Sequence, residues 1–185
     1  MMSNYKELWV TPLGEYTLND YDAHNELVSA YQTKYDINDG TQFNLFKSRS
    51  CEKFQKWVSE CCVDYTSHFL KNIKCNITRS WITTLNYGEQ NHFHTHGDSD
   101  IVGVYYLETN ENHPGLQVFD PRTPHSLNAT NIVENDKVIC ENIRYIVIPP
   151  TQGKLVLLPG YLLHGVLPNL DKHPRVSVAM NISIK

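Results

Sequence analysis

The chain has 185 residues, 41% of them hydrophobic, with 16 basic against 20 acidic side chains and a formal net charge of −4. That length is one domain with room for a real core, and that apolar fraction excludes a chain disordered throughout. The basic residues are scattered and outnumbered, so there is no basic face of the kind that nucleic acid binding uses, and nucleic acid is not the expected partner.

Met1 to Val10 lacks the apolar stretch of a signal peptide, and no apolar run in the chain approaches the roughly 18 residues of a membrane span. Leu8 to Leu18 reads as an extended opening segment interrupted by Pro12 and Gly14. His24 to Tyr35 reads as a short helix and Asp36 to Ser48 as a polar, turn-rich stretch. From Ser50 to about Asn72 the apolar residues Phe54, Trp57, Val58, Cys61, Cys62, Tyr65 and Phe69 recur at three and four residues, which predicts an amphipathic helix with Ser50 as its N-cap. The ordinary reading of that stripe is core packing. The five cysteines, Cys51, Cys61, Cys62, Cys75 and Cys140, are odd in number and contain no CxxC. They read as small buried hydrophobes in a reducing compartment, and the expected location is the cytoplasm.

After Cys75 the texture changes to short strands: Arg79 to Tyr87, Asp100 to Glu108, Leu116 to Phe119, Ile143 to Ile148, Lys154 to Leu158, Leu162 to Leu167 and Arg175 to Ile184. Asp100 to Glu108 is a continuous apolar run, as in a strand buried on both faces. The last segment alternates through Val176, Val178, Met180, Ile182 and Ile184. Pro121 to Asp136 is long and polar and reads as a surface loop. Strands broken by Pro, Gly and Asn predict a sandwich or barrel, and helices followed by strands exclude a Rossmann-type alternation. GxGxxG, GxxxxGK[ST] and GxSxG are all absent from the sequence.

The chemistry concentrates in four residues. His94 and His96, one residue apart, share a face of an extended segment. His164 interrupts an apolar strand and can complete a three-nitrogen face of a metal ion. Arg175 follows eleven residues later, with Ser177 on the same strand face. A guanidinium fork with a neighbouring hydroxyl is suited to a carboxylate. Imidazole suits iron, zinc, copper and nickel, and a three-residue face with open positions suits non-haem Fe(II). Taken singly, His164 is more often a satisfied core histidine and Arg175 a solvated edge charge; their combination outweighs both. His92 shares the parity of His94, but three ligands from one short strand crowd one another, so it is read as a neighbour. His24 and His68 fall on helices, and His113, His125 and His173 each adjoin a proline in turns.

At these residues the chain resembles the 2-oxoglutarate- and Fe(II)-dependent oxygenases, and more narrowly their bacterial and phage branch related to prolyl 4-hydroxylases. The resembling pieces run from Trp81 to Asn181: Trp81 with Asn86-Tyr87-Gly88, His94-Thr95-His96, Gly103 to Leu107, Phe119 to Arg122, Leu155 to Pro159, His164-Gly165-Val166, and Arg175-Val176-Ser177 with Asn181. The resemblance implies a mainly β protein, a double-stranded β-helix (jelly roll, cupin-like) with N-terminal helices outside. It implies one oxygenase domain over 1–185, helical to about 75 and jelly roll from about 76. It further implies a dioxygenase using Fe(II), 2-oxoglutarate and O2 that hydroxylates a substrate such as a peptidyl proline and releases succinate and CO2. The metal would sit on His94, His96 and His164. The co-substrate would sit on Arg175 and Ser177, with Tyr105 or Tyr106 and Asn86 as further contacts; adjacent strand residues face opposite ways, so one tyrosine reaches inward. A bacterial or phage-infected host cell is the implied setting.

The family's first motif is usually His-x-Asp or His-x-Glu, and here it is His-x-His, so Asp98 or Asp100 is an alternative ligand through a bend at Gly97. Three neutral imidazoles leave the ion's two positive charges to be balanced by the dianionic co-substrate, which keeps the chemistry workable. Two other readings stay open. Gly88, His94, His96, Gly153, Pro159 and His164 partly resemble the motifs of a cupin metalloenzyme that does not use 2-oxoglutarate. A jelly roll whose histidines merely pack would be a binding module.

Overall fold

The computed structural model describes residues 11–32, 51–121, 131–134, 137–141 and 145–185. Strand β1 (Gly14–Thr17) leads into helices α1 (Tyr21–Gln32) and α2 (Glu52–Ser67). Among the described residues ten strands follow: β2 (Cys75–Leu85), β3 (Asn91–His94), β4 (Ile101–Glu108), β5 (Leu116–Phe119), β6 (Asn131–Glu134), β7 (Lys137–Glu141), β8 (Tyr145–Ile148), β9 (Lys154–Pro159), β10 (His164–Val166) and β11 (Arg175–Ile184). They form a five-stranded sheet ordered β1-β9-β4-β11-β2, a four-stranded sheet ordered β3-β10-β5-β8, and a separate β6-β7 pair. All the pairings are antiparallel. This is the mainly β, two-sheet jelly roll with N-terminal helices that the sequence predicts.

Strand β4 shows why its sequence is apolar throughout. Ile101, Tyr105 and Leu107 join a core with Leu27, Phe54, Val58 and Cys62 of the helices. Val102, Val104 and Tyr106 join a second core with Leu116, Val118, Ile148 and Val166 of the smaller sheet. The large sheet is thus buried on both faces, by helices on one side and by the small sheet on the other. Strand β11 alternates in the same way, with Val176, Val178, Met180 and Ile182 toward the helices. Its other face (Arg175, Ser177, Ala179, Asn181) is left for the space between the sheets.

Helix α2 buries Phe54, Val58, Cys61, Cys62 and Tyr65 of the predicted stripe, with Trp57 partly buried and Phe69 exposed beyond its end, and it differs from the expectation at both ends. Its N-cap is Cys51, with no side-chain capping bond; the expected cap, Ser50, lies outside the described residues. The exposed donors at its start go instead to a carboxylate of the other helix: Glu26 Oε2 accepts from the N–H groups of Lys53 (3.1 Å) and Phe54 (3.3 Å). The helix stops at Ser67, short of Asn72, whose positive φ of 56° belongs to a turn. The polar stretch Pro121 to Asp136, expected to be a loop, instead ends in a strand: Asn131–Glu134 pairs with Lys137–Glu141. Ile132-Val133 and Val138-Ile139-Cys140 flank Asn135-Asp136, which is a hairpin pattern that the polar composition around it hides. The predicted turn-rich stretch Asp36 to Ser48 lies outside the described residues. Among the described residues no helix is long and apolar enough to cross a membrane.

Candidate metal centre

Two strands and a turn carry the histidines. β3 and β10 run antiparallel with His94 and His164 as register partners, so both imidazoles leave the sheet on the same side. Gly165, next to His164, leaves room for the Phe93 ring, whose Cδ1 a Cβ there would meet at 2.6 Å. His96 does not share the strand of His94, as the spacing predicts, because β3 ends at His94. It is brought in by a turn: its N–H donates to the Gly160 carbonyl (2.8 Å), and its own carbonyl accepts from Ser99 (3.1 Å). A side chain at Gly160 would strike the Ser99 carbonyl, so this approach requires glycine.

One ligand atom from each of the three histidines lies within 4.8 Å of the other two. Their environments grade from His164, 3% exposed, through half-buried His96 to exposed His94. The Nδ1–H of His94 donates to the His92 carbonyl (2.6 Å), and that of His164 to the Leu162 carbonyl (2.8 Å). A carbonyl only accepts, so in both rings Nδ1 carries a proton, and the neutral form of each ring has its lone pair on Nε2. His96 Nδ1 lies 2.7 Å from Asn181 Oδ1, and its ring stacks on Trp81 at 16°. Burial pushes the His164 pKa down to about 4 and lowers that of His96, so both are neutral at pH 7, the form that binds metal. Neither alternative carboxylate joins the cluster. Asp98 pairs with Arg79 (3.3 Å), and Asp100 accepts from the Ile184 N–H (2.7 Å).

The histidines line a cavity of about 100 Å³ whose wall also holds Arg175, Ser177, Thr83 and Trp81. Arg175 is wholly buried, donates from Nη1 to Ser177 Oγ (3.2 Å), and lies over the Tyr106 ring with its Cζ 5.0 Å from the centroid. Its Nε and Nη2 have no hydrogen-bond partner, and among the described residues no carboxylate pairs with it. Buried donors are rarely left unpaired, and a charged one least of all. The cavity therefore has an unsatisfied cationic fork and three ligand-form imidazoles in one wall.

A family model described as "Putative 2OG-Fe(II) oxygenase" matches residues 79–181, more than half of the chain. The chain belongs to this family. This 2OG-Fe(II) oxygenase is a non-haem iron enzyme, and Fe(II) and 2-oxoglutarate are the cofactor and co-substrate of its family. It is similar in fold to a Pseudomonas putida prolyl-4-hydroxylase (TM-score 0.62, 11% identity, 94% of this chain and 88% of that one). It is equally similar to the viral collagen prolyl hydroxylase of Paramecium Bursaria Chlorella virus-1 (TM-score 0.60, 15% identity, 98% of each chain). The epimerase SnoN, in complex with Fe3+, alpha ketoglutarate and nogalamycin RO, gives TM-score 0.64 at 8% identity over 94% of this chain and 79% of that one. No curated protein matches the oxygenase in sequence.

The other sequence-predicted contacts divide. Tyr106 is beside Arg175. Tyr105 points the opposite way, its hydroxyl 2.8 Å from His24 Nδ1 and its ring against Phe54 and Trp57, so the structure does not bring it to the cavity. Asn86 is exposed, and its backbone and side-chain N–H groups donate to Glu89 (2.7 and 3.0 Å), away from the cavity. Trp81 and Asn181, which touch His96, carry no assigned role in the sequence reading. The parity of β11 is the signal for Asn181: it falls on the face of Arg175 and Ser177.

Proposed function

We propose that this oxygenase holds Fe(II) on Nε2 of His94, His96 and His164, and 2-oxoglutarate through its distal carboxylate on Arg175 and Ser177. The residues fit both groups. Three imidazoles present free nitrogens at one point, and the only unpaired cation among the described buried groups stands in the same cavity wall. Bound iron and 2-oxoglutarate supply the oxidative chemistry that hydroxylates a C–H bond with release of succinate and CO2. The chain's own part is placement. His164 and Arg175 fix metal and anion from the dry interior, with the Tyr106 ring stacked on the guanidinium. Exposed His94 leaves the metal end open to an incoming substrate. Val102, Val104, Leu116 and Val166 exclude water from the space between the sheets. The likeness to prolyl hydroxylases favours a peptidyl residue such as proline as substrate. The proposal takes 1–185 as one domain, and the free thiols of Cys61, Cys62 and Cys75 fit a reducing compartment such as the cytoplasm.

The observation that carries this reading is Arg175, because a cupin that does not use 2-oxoglutarate has no use for a buried, unpaired guanidinium beside its metal. The test is anaerobic reconstitution with Fe(II), then a 2-oxoglutarate titration followed by visible absorption. A charge-transfer band that needs both components supports it. Metal binding without the band supports the cupin reading, and no metal at all supports a binding module.

A further inference from the structure

The three imidazoles differ in what fixes their tautomer. His94 and His164 donate to backbone carbonyls, which have no proton to offer, so their Nε2 atoms are free whatever the surrounding side chains do. His96 faces a side-chain amide. An amide presents an acceptor on one side and a donor on the other. With Oδ1 toward His96 the ring is protonated on Nδ1 and its Nε2 is free. With the NH2 toward it the proton moves to Nε2, and that nitrogen cannot bind a metal.

We propose that Asn181 is a positioning residue that sets the metal-binding tautomer and orientation of His96. The proposal rests on the three-histidine reading of the site. Three observations carry it. The contact is short, 2.7 Å, and the partner is 3% exposed, so water does not compete for it. His96 lies beyond the end of β3, where no ladder holds its side chain; Trp81 stacking restrains the ring plane, but a stack cannot choose between two nitrogens. And Asn181 is on the strand face of Arg175 and Ser177, so β11 grips the co-substrate's proposed carboxylate at one end and orients a metal ligand at the other. A carboxylate at position 96 would need no such partner, because either of its oxygens is a ligand. A histidine there does, and Asn181 supplies a neutral acceptor.

The test compares Asn181→Leu, which removes the acceptor at similar volume, with Asn181→Asp, which keeps it. Co(II) is the probe, titrated while its d–d absorption is followed, after thermal melts show that each variant is folded. The Leu variant is expected to bind Co(II) about 10–100-fold more weakly, the usual cost of losing a partner behind a ligating histidine, and the Asp variant to stay within a few-fold of wild type or better. In parallel, long-range proton–nitrogen spectra of the metal-free protein, labelled at histidine, are expected to show His96 protonated on Nδ1 in wild type and mixed in Asn181→Leu. Equal Co(II) affinity in wild type and Leu variant, equal losses in Leu and Asp, or a wild-type His96 protonated on Nε2 would each overturn the role of Asn181 alone. A wild type that takes up no Co(II) would remove the three-histidine reading and this proposal with it.

Discussion

At one end of the cavity a single wholly buried arginine holds two nitrogens, Nε and Nη2, without a hydrogen-bond partner; at the other, three imidazoles run from buried to exposed and are satisfied through their far nitrogens. The first end is charged and dry; at the second, burial favours the neutral form of His164 and His96, and His94 is exposed to water. The difference fits the role proposed for each end. An anion is gripped most strongly where water cannot compete, whereas a metal that meets both co-substrate and substrate needs open positions. It also divides the energetics. The arginine end strains the empty protein, while the histidine end costs little until it is protonated.

The largest effect that would break this division is loss of metal. His164→Ala removes the most buried of the three proposed ligands, and uptake of Fe(II) or Co(II) is expected to fall by more than the about 100-fold typical of outer partners, measured by metal analysis after desalting. Arg175→Met separates the ends. Truncating one partner of a buried, hydrogen-bonded charge pair costs about 2–5 kcal/mol, so 2-oxoglutarate affinity should fall by about 30-fold or more with metal affinity unchanged. The same substitution removes an unpaired buried charge, so the empty variant should melt higher than the empty wild type. An unchanged 2-oxoglutarate affinity, or a lower melting temperature, would show that the fork is a structural element of the fold.

Much of this arrangement is legible in the sequence, and the parts that are not have physical causes. The apolar run of β4 and the alternation of β11 announce a doubly buried sheet because burial acts residue by residue along a strand. His94, His96, His164 and Arg175 stand out because imidazole and guanidinium in apolar strands need a reason. What does not show is cross-chain geometry. The cap of α2 comes from Glu26 on another helix, His96 reaches the cluster through a turn docked on Gly160, and the partner of His96 is 85 residues away. The β6-β7 pair is masked by its polar surroundings. Tyr105 and Tyr106 show the limit most clearly: alternation says that one of them turns inward, but only the packing of Phe54 and Trp57 decides which.

The histidine end sharpens the contrast through pH. His164 titrates near 6.5 when unfolded and at about 4 in the folded, metal-free protein, because burial disfavours its cation. Between those values the unfolded chain holds the extra proton. Stability is therefore full above pH 6.5 and is lost as pH falls toward about 4, by on the order of 3 kcal/mol, with His96 adding in the same direction. Urea melts of the metal-free protein across this window should show the slope, and His164→Leu should flatten it. An equal slope in that variant would place the acid sensitivity elsewhere.

The smallest effects come from the two adjacent tyrosines and test the division of faces itself. Tyr105→Phe removes the hydroxyl beside His24 Nδ1 and should cost about 1 kcal/mol of stability, read from a denaturant midpoint, with 2-oxoglutarate affinity unchanged. Tyr106→Phe keeps the ring over Arg175 and loses only the hydroxyl, which makes a long bond of 3.4 Å to the Ile148 carbonyl and also interacts with Arg175 and the Leu116 backbone. Its stability should hardly move. If that hydroxyl helps hold the co-substrate, affinity should fall about fivefold, the worth of one ordinary hydrogen bond. Equal losses of 2-oxoglutarate affinity in both variants would mean that the helix-side packing, and not contact at the cavity, sets the geometry of Arg175.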